Sequence, residues 1–359
     1  MNALNQDIEL RIRFSEYFAF VSAESFREGW TRYHDSLVKH RDEIRQQINQ
    51  LEAEWRRLKE NPVPDDTRVD YVTRTLTWLY NEVGYVERNR SVTANPRAPS
   101  REIPSGQLHL LTVGISAFNE KYGGHLRLMY AKQDAADLAT ALLTTQNKAY
   151  TRISPQVLGD SNASKGAILS GLSTLRRLMT TSTGNDLAVI YLSSYIAQID
   201  DRLYLLPYDV DIRDETGIKA TAISFEELRD ELRALSNSGQ ILVLLDIGIE
   251  STKINSNRLR TDLSGPSISV FTSVTDNEVG MVQEEWHHSA FAKALLEALR
   301  DPNAADTGRT GIISTLALFE YVRGRVVALT DGRQHPGAEI RFDRPLFSIS
   351  QATIGTTSR

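Results

Sequence analysis

Apolar side chains in the first hundred residues are spaced as on helices. They recur at steps of three and four residues over 26–58 and again over 72–86, which is the spacing of one helical face. Pro62 and Pro64 lie between these two stretches and are typical of a turn that ends one helix before another begins. The pattern predicts a helical, coiled-coil-like N-terminal region over residues 1–95, either a hairpin or a small bundle.

The predicted helical region is rich in large aromatic side chains. Aromatic side chains such as Trp and Tyr are enriched at the hot spots of protein interfaces, so we expect this region to bind a protein partner or to self-associate. The alternative is that the first segment covers the other two and gives a closed three-helix bundle. The candidate partner-binding residues are Phe26, Trp30, Tyr33, Trp55 and Trp78.

The pattern changes after a proline-containing linker at residues 96–106. Short apolar runs then alternate with amphipathic segments until about residue 350, and a flexible tail is expected at 351–359. Apolar strands separated by helices are typical of a mostly parallel sheet. The predicted strands are LHLLTVGIS, DLAVIYLSS, QILVLLDIG and SISVFTSV. The predicted helices are YAKQDAADLATALLTT, ASKGAILSGLSTLRRLMTT, SFEELRDELRAL and HHSAFAKALLEALR.

Two of these helices carry sequence signals for their first turn. Ser224 is followed three residues later by Glu227, which is a capping box. Ser161 and Asn162 are the cap candidates for the helix that follows them.

Composition narrows the classes of function. The net charge of −5 gives no reason to expect a nucleic-acid partner. No apolar run is long enough to cross a bilayer and no signal peptide opens the chain, so we expect a cytoplasmic protein without a membrane partner. The chain has no cysteine, which excludes disulfides, thiolate metal sites and a cysteine nucleophile. No motif predicts a metal or a cofactor.

Candidate site residues lie where two predicted strands end. Ligands bind at the carboxyl ends of the strands in parallel α/β sheets. One such end carries Ser193, Ser194 and Tyr195, and the other runs from Asp246 through Gly248 to Ser251. Tyr195 and Gly248 should therefore lie near each other at one edge of the sheet.

Seven motifs in a fixed order resemble those of the caspase-like peptidases, in particular the bacterial metacaspase and orthocaspase branch of the peptidase C14-like proteins. The resemblance implies an α/β, caspase-haemoglobinase-like fold, in which a mostly parallel sheet is flanked by helices over residues 107–350. The motifs are LTVGIS, AKQDAADLA, LYLLPYDVD, VFTSV, HHSAFAKAL, GIISTLALFEYV and GRQHP.

The resemblance also implies where the catalytic pair of the family would lie. Its histidine falls on Tyr195, and its cysteine falls on Gly248. A tyrosine, whose ordinary pKa is about 10, is a poor general base at neutral pH, and a glycine has no side-chain atom that can attack a carbonyl. The prediction is a pseudoprotease that acts by binding proteins, as a scaffold or as a regulator of an active caspase-like relative.

The alternative is a hydrolase of altered mechanism. It would use a serine beside Tyr195, at Ser193 or Ser194, or else Ser251. A serine nucleophile needs a base within hydrogen-bond reach, and His287 and His288 open a later helix. Asp246 is expected to accept backbone hydrogen bonds as a structural remnant.

A further acidic stretch runs over residues 209–215. It is either a solvated loop or, because metacaspase-like enzymes prefer Arg or Lys, a site for a basic segment of a partner.

Overall fold

The structure is a computed structural model. Of the N-terminal region it describes Gln50, Ala53, Glu54, Arg56 and Arg57, which are all helical. The remaining described residues are 106–122, 124, 126–144, 150–180, 186–249, 256–275, 278–306, 312–341 and 345–348. The predicted linker ends one residue earlier than expected, because Gly106 begins the first described strand. Residues 96–105, the C-terminal tail, Ser251 and the partner-binding candidates lie outside the described residues; these candidates are Phe26, Trp30, Tyr33, Trp55 and Trp78.

The described residues from 106 onward alternate strands and helices. The strands are β1 (Gly106–Gly114), β2 (Tyr150–Gly159), β3 (Leu187–Ile199), β4 (Arg202–Leu205), β5 (Ile223–Ser224), β6 (Gln240–Ile249), β7 (Ile268–Thr272), β8 (Val282–Gln283), β9 (His288–Ser289), β10 (Ile312–Ser314), β11 (Gly337–Glu339) and β12 (Pro345–Ser348). The helices are α1 (Ala131–Thr144), α2 (Lys165–Met179), α3 (Glu215–Thr221), α4 (Phe225–Ser236), α5 (Ser256–Leu263), α6 (Ala290–Arg300), α7 (Pro302–Ala305) and α8 (Thr315–Leu329).

One sheet organises this part of the chain. Its strand order is β11-β7-β6-β3-β1-β2, and all neighbours from β2 through β7 pair in parallel, whereas β11 is antiparallel. The far end of β3 turns back into β4, which pairs with it in antiparallel register. The predicted α/β fold with a mostly parallel sheet is therefore confirmed.

Strand β2 forms one edge of the sheet and was not predicted from the sequence. It contains Pro155, which pairs in register with Leu110 of β1. A proline lacks the backbone N–H and is tolerated on an edge strand, where the missing donor can face away from the neighbouring strand. No described strand pairs with the outer side of β2.

Helices cover both faces of the sheet because its side chains alternate between two apolar surfaces. On one face, residues such as Ile190 and Val243 pack with Leu172 of α2 and Leu228 of α4. On the other face, Tyr191 and neighbouring strand residues meet α1, α6 and α8. A small cavity of about 20 Å³ lies there, and its lining from the three helices is Leu138, Leu142, Leu295, Leu299 and Leu318. None of the described helices has both the length and the apolar character needed to cross a membrane.

Serines begin four of the helices. Ser224 accepts a hydrogen bond from the Glu227 backbone N–H, as predicted. The cap prediction for α2 was wrong, because Ser164 holds that position and accepts from Ala167 N. Ser161 and Asn162 instead belong to a short 3-10 turn before it. Ser289 and Ser314 cap α6 and α8.

Candidate functional site at the carboxyl edge of the sheet

The two predicted strand ends lie side by side. Tyr195 of β3 is in register with Gly248 of β6, and Ser193 is in register with Asp246. Residues paired in a parallel ladder point to the same face of the sheet, so all four belong to the face covered by α1 and α6. The predicted adjacency of Tyr195 and Gly248 is confirmed.

The space above Gly248 is filled. A Cβ atom added to this glycine would lie 2.9 Å from Leu128 Cδ1 and 3.1 Å from the Tyr195 ring. The Tyr195 hydroxyl donates to the Arg127 carbonyl at 2.8 Å, and its ring lies 5.9 Å from that of Phe118. Tyr195 is thus held by the segment that carries Leu128, and together they occupy the volume that a side chain at residue 248 would need.

The two described serine candidates are buried. Ser194 points to the opposite face from Tyr195, and its hydroxyl donates to the Leu206 carbonyl at 2.6 Å. Ser193 is 2% exposed and its side chain hydrogen-bonds with Tyr191. Neither of these serines hydrogen-bonds to a described histidine.

Asp246 is buried beneath Gly248 and hydrogen-bonds with the side-chain hydroxyls of Tyr191, Ser289 and Ser273. Tyr191 donates to its Oδ2 at 2.9 Å, and Ser289 donates to the same oxygen at 2.5 Å. No backbone donor to Asp246 is among the hydrogen bonds of the described residues; β3 and the N-cap residue of α6 instead bring hydroxyl groups to its Oδ2. Burial raises the pKa of Asp246 above its usual range, although these hydrogen bonds oppose the shift.

Asp134 of α1 is a second buried carboxyl group at the site. His288 Nδ1 donates to its Oδ1 at 2.6 Å, and Ser289 N donates to its Oδ2 at 3.1 Å. Burial raises the pKa of Asp134 to about 6; the charge of Asp246 adds to this rise, and the hydrogen bonds from His288 and Ser289 oppose it. Burial and the same two carboxylates raise the pKa of Tyr191 well above its usual value.

Asp134, Asp246, His288, Ser289 and Tyr191 form one connected buried cluster, which we call the acidic cluster. Ser289 is its centre, because its backbone N–H binds one carboxylate and its hydroxyl binds the other. Sequence reasoning identified Asp246 and noted His288 but missed Asp134. The sequence signal that could have identified Asp134 was the AKQDAADLA motif, which contains it.

The acidic stretch at 209–215 serves local structure. Asp209 accepts from Lys165 N at 2.8 Å, next to the N-cap of α2. Asp211 pairs with Arg213, and Asp214 caps α3 by accepting from Gly217 N. Each of these aspartates is thus engaged within the chain.

The described residues give no indication of a metal centre. Across them, no group of three or more His, Asp or Glu side chains is arranged to hold a metal ion.

A mostly parallel sheet with helices on both faces, and with acidic groups beneath the ends of its central strands, defines an α/β protein with a candidate site at the carboxyl edge of its sheet. The caspase domain family matches residues 109–347, which is more than half of the chain. The chain belongs to this family.

Two solved structures match the chain at low sequence identity. Protein GSU0716 from Geobacter sulfurreducens is 13% identical, with 68% of this chain and 99% of that chain covered and a TM-score of 0.47. Caspase-1 from Spodoptera frugiperda is 15% identical, with 72% and 96% covered and a TM-score of 0.44. A search of curated proteins found no match.

Proposed function

We propose that this protein is a catalytically inactive member of the caspase family that acts by binding other proteins. The observation that carries the proposal is the environment of Gly248. Peptide hydrolysis in this family requires a nucleophile at that position, but the residue is a glycine, and Leu128 and Tyr195 fill the space in front of it. The chain also contains no cysteine at any other position that could act as the nucleophile instead.

The residue at the base position supports the same proposal. Tyr195 uses its hydroxyl proton to bind the Arg127 carbonyl, so the hydroxyl is a donor in a structural contact. A general base must instead accept a proton within hydrogen-bond reach of the nucleophile. Tyr195 therefore links β3 to the loop that carries Arg127 and Leu128.

The altered hydrolase is the second candidate. Ser193 lies on the same face as Tyr195 and Asp246, which favours it over Ser194 as a nucleophile. Its side chain is buried, however, and hydrogen-bonds with Tyr191, whose raised pKa keeps that phenol protonated at neutral pH. A protonated phenol does not activate a serine. The arrangement thus gives Ser193 no base, and we prefer the inactive protein.

By binding other proteins, this protein would act as a scaffold or as a regulator. Its partner would be a caspase-like relative or a second copy of this chain. The support is the set of large aromatic side chains in the N-terminal region.

A direct assay tests the inactive state. The whole protein is incubated with Arg-, Lys- and Asp-directed fluorogenic peptides, with and without calcium, and separately with a fluorophosphonate probe for active serines. An active caspase-like peptidase serves as the positive control for the peptides, and a serine hydrolase serves for the probe. We expect no turnover above the buffer and no labelling. Turnover would refute the proposal, and labelling lost in Ser193→Ala would establish the second candidate.

A further inference from the structure

The loop between β1 and α1 places Leu128 in front of Gly248. We call residues 115–130 the closing loop; Gly123 and His125 within it lie outside the described residues. Leu128 is half-buried, and its Cδ1 lies 2.9 Å from where a Cβ atom of residue 248 would be. The contacts that fix the backbone at Leu128 therefore decide whether the space above Gly248 is filled.

Ser116, at the start of the closing loop, holds Leu128 directly. Leu128 N donates to the Ser116 carbonyl at 3.0 Å, and the adjacent residues Ala117 and Arg127 form an antiparallel bridge. The Ser116 hydroxyl accepts from Lys132 N, in the first turn of α1, at 2.9 Å. The position of Leu128 thus depends on the position of Ser116.

Asp160, which directly follows β2, holds Ser116 in turn. Its Oδ1 accepts from Ser116 N at 2.8 Å and from Ala117 N at 3.2 Å. Its Oδ2 lies 3.2 Å from Lys132 Nζ. One carboxylate therefore joins the start of the closing loop to the first turn of α1, where the loop ends.

The backbone around Asp160 is adapted to this contact. The φ angle of Asp160 is 44°, in the left-handed region that residues with a Cβ atom enter at a cost in free energy. The preceding Gly159 leaves room for Lys132, because a Cβ atom there would lie 2.8 Å from Lys132 Cγ. Strained backbone persists only where the surrounding contacts determine it, and at Asp160 these contacts include the hydrogen bonds to the closing loop.

A second contact holds the closing loop at its other end. The Tyr195 hydroxyl donates to the Arg127 carbonyl, next to Leu128. This is a single hydrogen bond between neutral groups, whereas the Asp160 carboxylate accepts two hydrogen bonds and pairs with a lysine. Hydrogen bonds to a charged group are the stronger kind, so we expect Asp160 to contribute more than Tyr195 to the position of the loop.

We propose that Asp160 is the positioning residue of the closed site: its carboxylate fixes Ser116, and Ser116 holds Leu128 in the space above Gly248. The inference concerns the geometry of this chain and stands whether or not the protein binds partners.

Because the chain has no cysteine, a single introduced thiol can report on the position of Leu128. Leu128→Cys places the thiol inside the closed site. Met129→Cys places it on the surface one residue further on, where Met129 is 52% exposed. Ser269→Cys places it in the core of the sheet, at a residue that is 0% exposed, and so reports general unfolding. We would measure the rate at which each thiol reacts with iodoacetamide by mass spectrometry.

Three substitutions at Asp160 separate its carboxylate from its backbone strain. Asp160→Ala and Asp160→Gly both remove the acceptor, and glycine also relieves the strain. Both should speed the reaction of the Leu128→Cys thiol by about ten-fold, the order of effect expected when hydrogen bonds to a charged group are lost. Asp160→Asn keeps an oxygen acceptor and should stay closer to the parent rate. The Met129→Cys and Ser269→Cys thiols should react at their parent rates in all three backgrounds.

The same assay can contradict the proposal in three ways. An unchanged rate for Leu128→Cys in the Asp160→Gly background would overturn it. Equal acceleration of the Leu128→Cys and Ser269→Cys thiols would also overturn it, since Asp160 would then stabilise the whole domain without positioning the loop. Tyr195→Phe should speed the reaction less than Asp160→Gly, and the reverse order would assign the positioning to Tyr195 instead. If Asp160→Ala does not fold, Asp160→Gly decides alone.

Discussion

At the scale of single residues, two neighbours of Gly248 restrict the space for a catalytic side chain at that position. Replacing a lost nucleophile requires space for its side chain as well as the reactive atom. Leu128 Cδ1 lies 2.9 Å from where a Cβ atom would be, and the Tyr195 ring closes the same space from the side. Leu128 comes from the loop that precedes α1, so the proposed loss of activity would involve at least three residues.

Restoring the family pair should therefore fail. We expect Tyr195→His with Gly248→Cys to give no peptidase activity above the parent protein, because the new Cβ atom would lie 2.9 Å from Leu128 Cδ1, so Leu128 or the new thiol must shift. Small misplacements of reacting atoms cost large factors in rate, on the order of 100-fold for about 1 Å. The measurement is turnover of Arg- and Lys-directed peptides.

The matched variant adds Leu128→Ala to the same pair and removes the closest contact. It should be the more active of the two if either shows turnover. Robust activity in the double variant alone would mean that the pocket accepts a nucleophile as it stands.

Asp134 predicts a particular dependence of stability on pH. Its pKa of about 6 in the folded protein lies above the value of 3.8 for the unfolded chain. The folded state therefore binds the proton more tightly, and stability falls as the pH rises from about 4 to about 6. A shift of about two units corresponds to about 3 kcal/mol lost by pH 7 relative to pH 4.

Asp134→Asn should flatten that part of the stability curve. The amide can accept from Ser289 N but stays neutral at every pH. Urea unfolding at pH 4.5, 5.5, 6.5 and 7.5 measures the slope, and part of it should remain because Asp246 also has a raised pKa. An unchanged slope in the variant would assign the dependence to other groups.

The residues at the strand ends were predictable, but their partners were not. Tyr195 and Gly248 follow apolar runs of the sequence, and parallel pairing then places them together. The hydrogen bond between Asp134 and His288 joins residues 154 positions apart, and no local pattern reports such a contact. Asp246 was expected to bind backbone groups for the same reason, since its hydroxyl donors come from two other elements.

At the scale of elements, long apolar runs and amphipathic helices were predicted and short or edge elements were not. Strands β1, β3, β6 and β7 lie at the predicted places. Strand β2 was missed because it contains Pro155 and polar residues, which is a pattern that an edge strand tolerates and a central strand does not. Strand β3 also runs on to Ile199, beyond the predicted end at Ser194.

The turn between β3 and β4 is strained. Ile199 pairs with Arg202, so Asp200 and Asp201 form a two-residue loop, and both have positive φ, at 47° and 59°. Such hairpin loops require positive φ at both positions and favour glycine at the second. Asp200 pairs with Lys219, whereas Asp201 only accepts a long hydrogen bond of 3.5 Å from Gln198 Nε2, so Asp201 is the residue to replace.

Asp201→Gly should stabilise the protein by about 0.5–1 kcal/mol, because glycine adopts positive φ without a Cβ clash. Asp201→Ala is the matched control and should destabilise it, since alanine has the Cβ atom but no side-chain hydrogen bond. Thermal unfolding of the three proteins in one buffer measures the order. Equal midpoints for glycine and alanine would contradict this account of the turn.

At the scale of the whole molecule, the N-terminal region is where we expect association. We expect its large aromatic side chains to exceed what a two-helix contact can hide, and this excess predicts binding to another chain. Size-exclusion chromatography with light scattering would compare the whole chain with a shortened chain that begins at Ser105, and circular dichroism would confirm that the shortened chain is folded. We expect the whole chain to be larger than a monomer, or to capture a caspase-like relative, and the shortened chain to do neither.

Two further results bear on that prediction. A monomer in both cases, with no partner recovered, would leave the N-terminal helices as a closed bundle. An oligomer in both cases would move the contact to the caspase domain.

Pro155 has a consequence for how this protein behaves at high concentration. An uncovered strand is a template on which further strands can add, and repeated addition leads to fibrils. A strand arriving at the outer side of β2 would meet a residue without an N–H in the middle of the ladder and would lose a hydrogen bond there. Growth from this edge is thereby interrupted at its centre, so Pro155 discourages uncontrolled polymerisation from the outer side of β2.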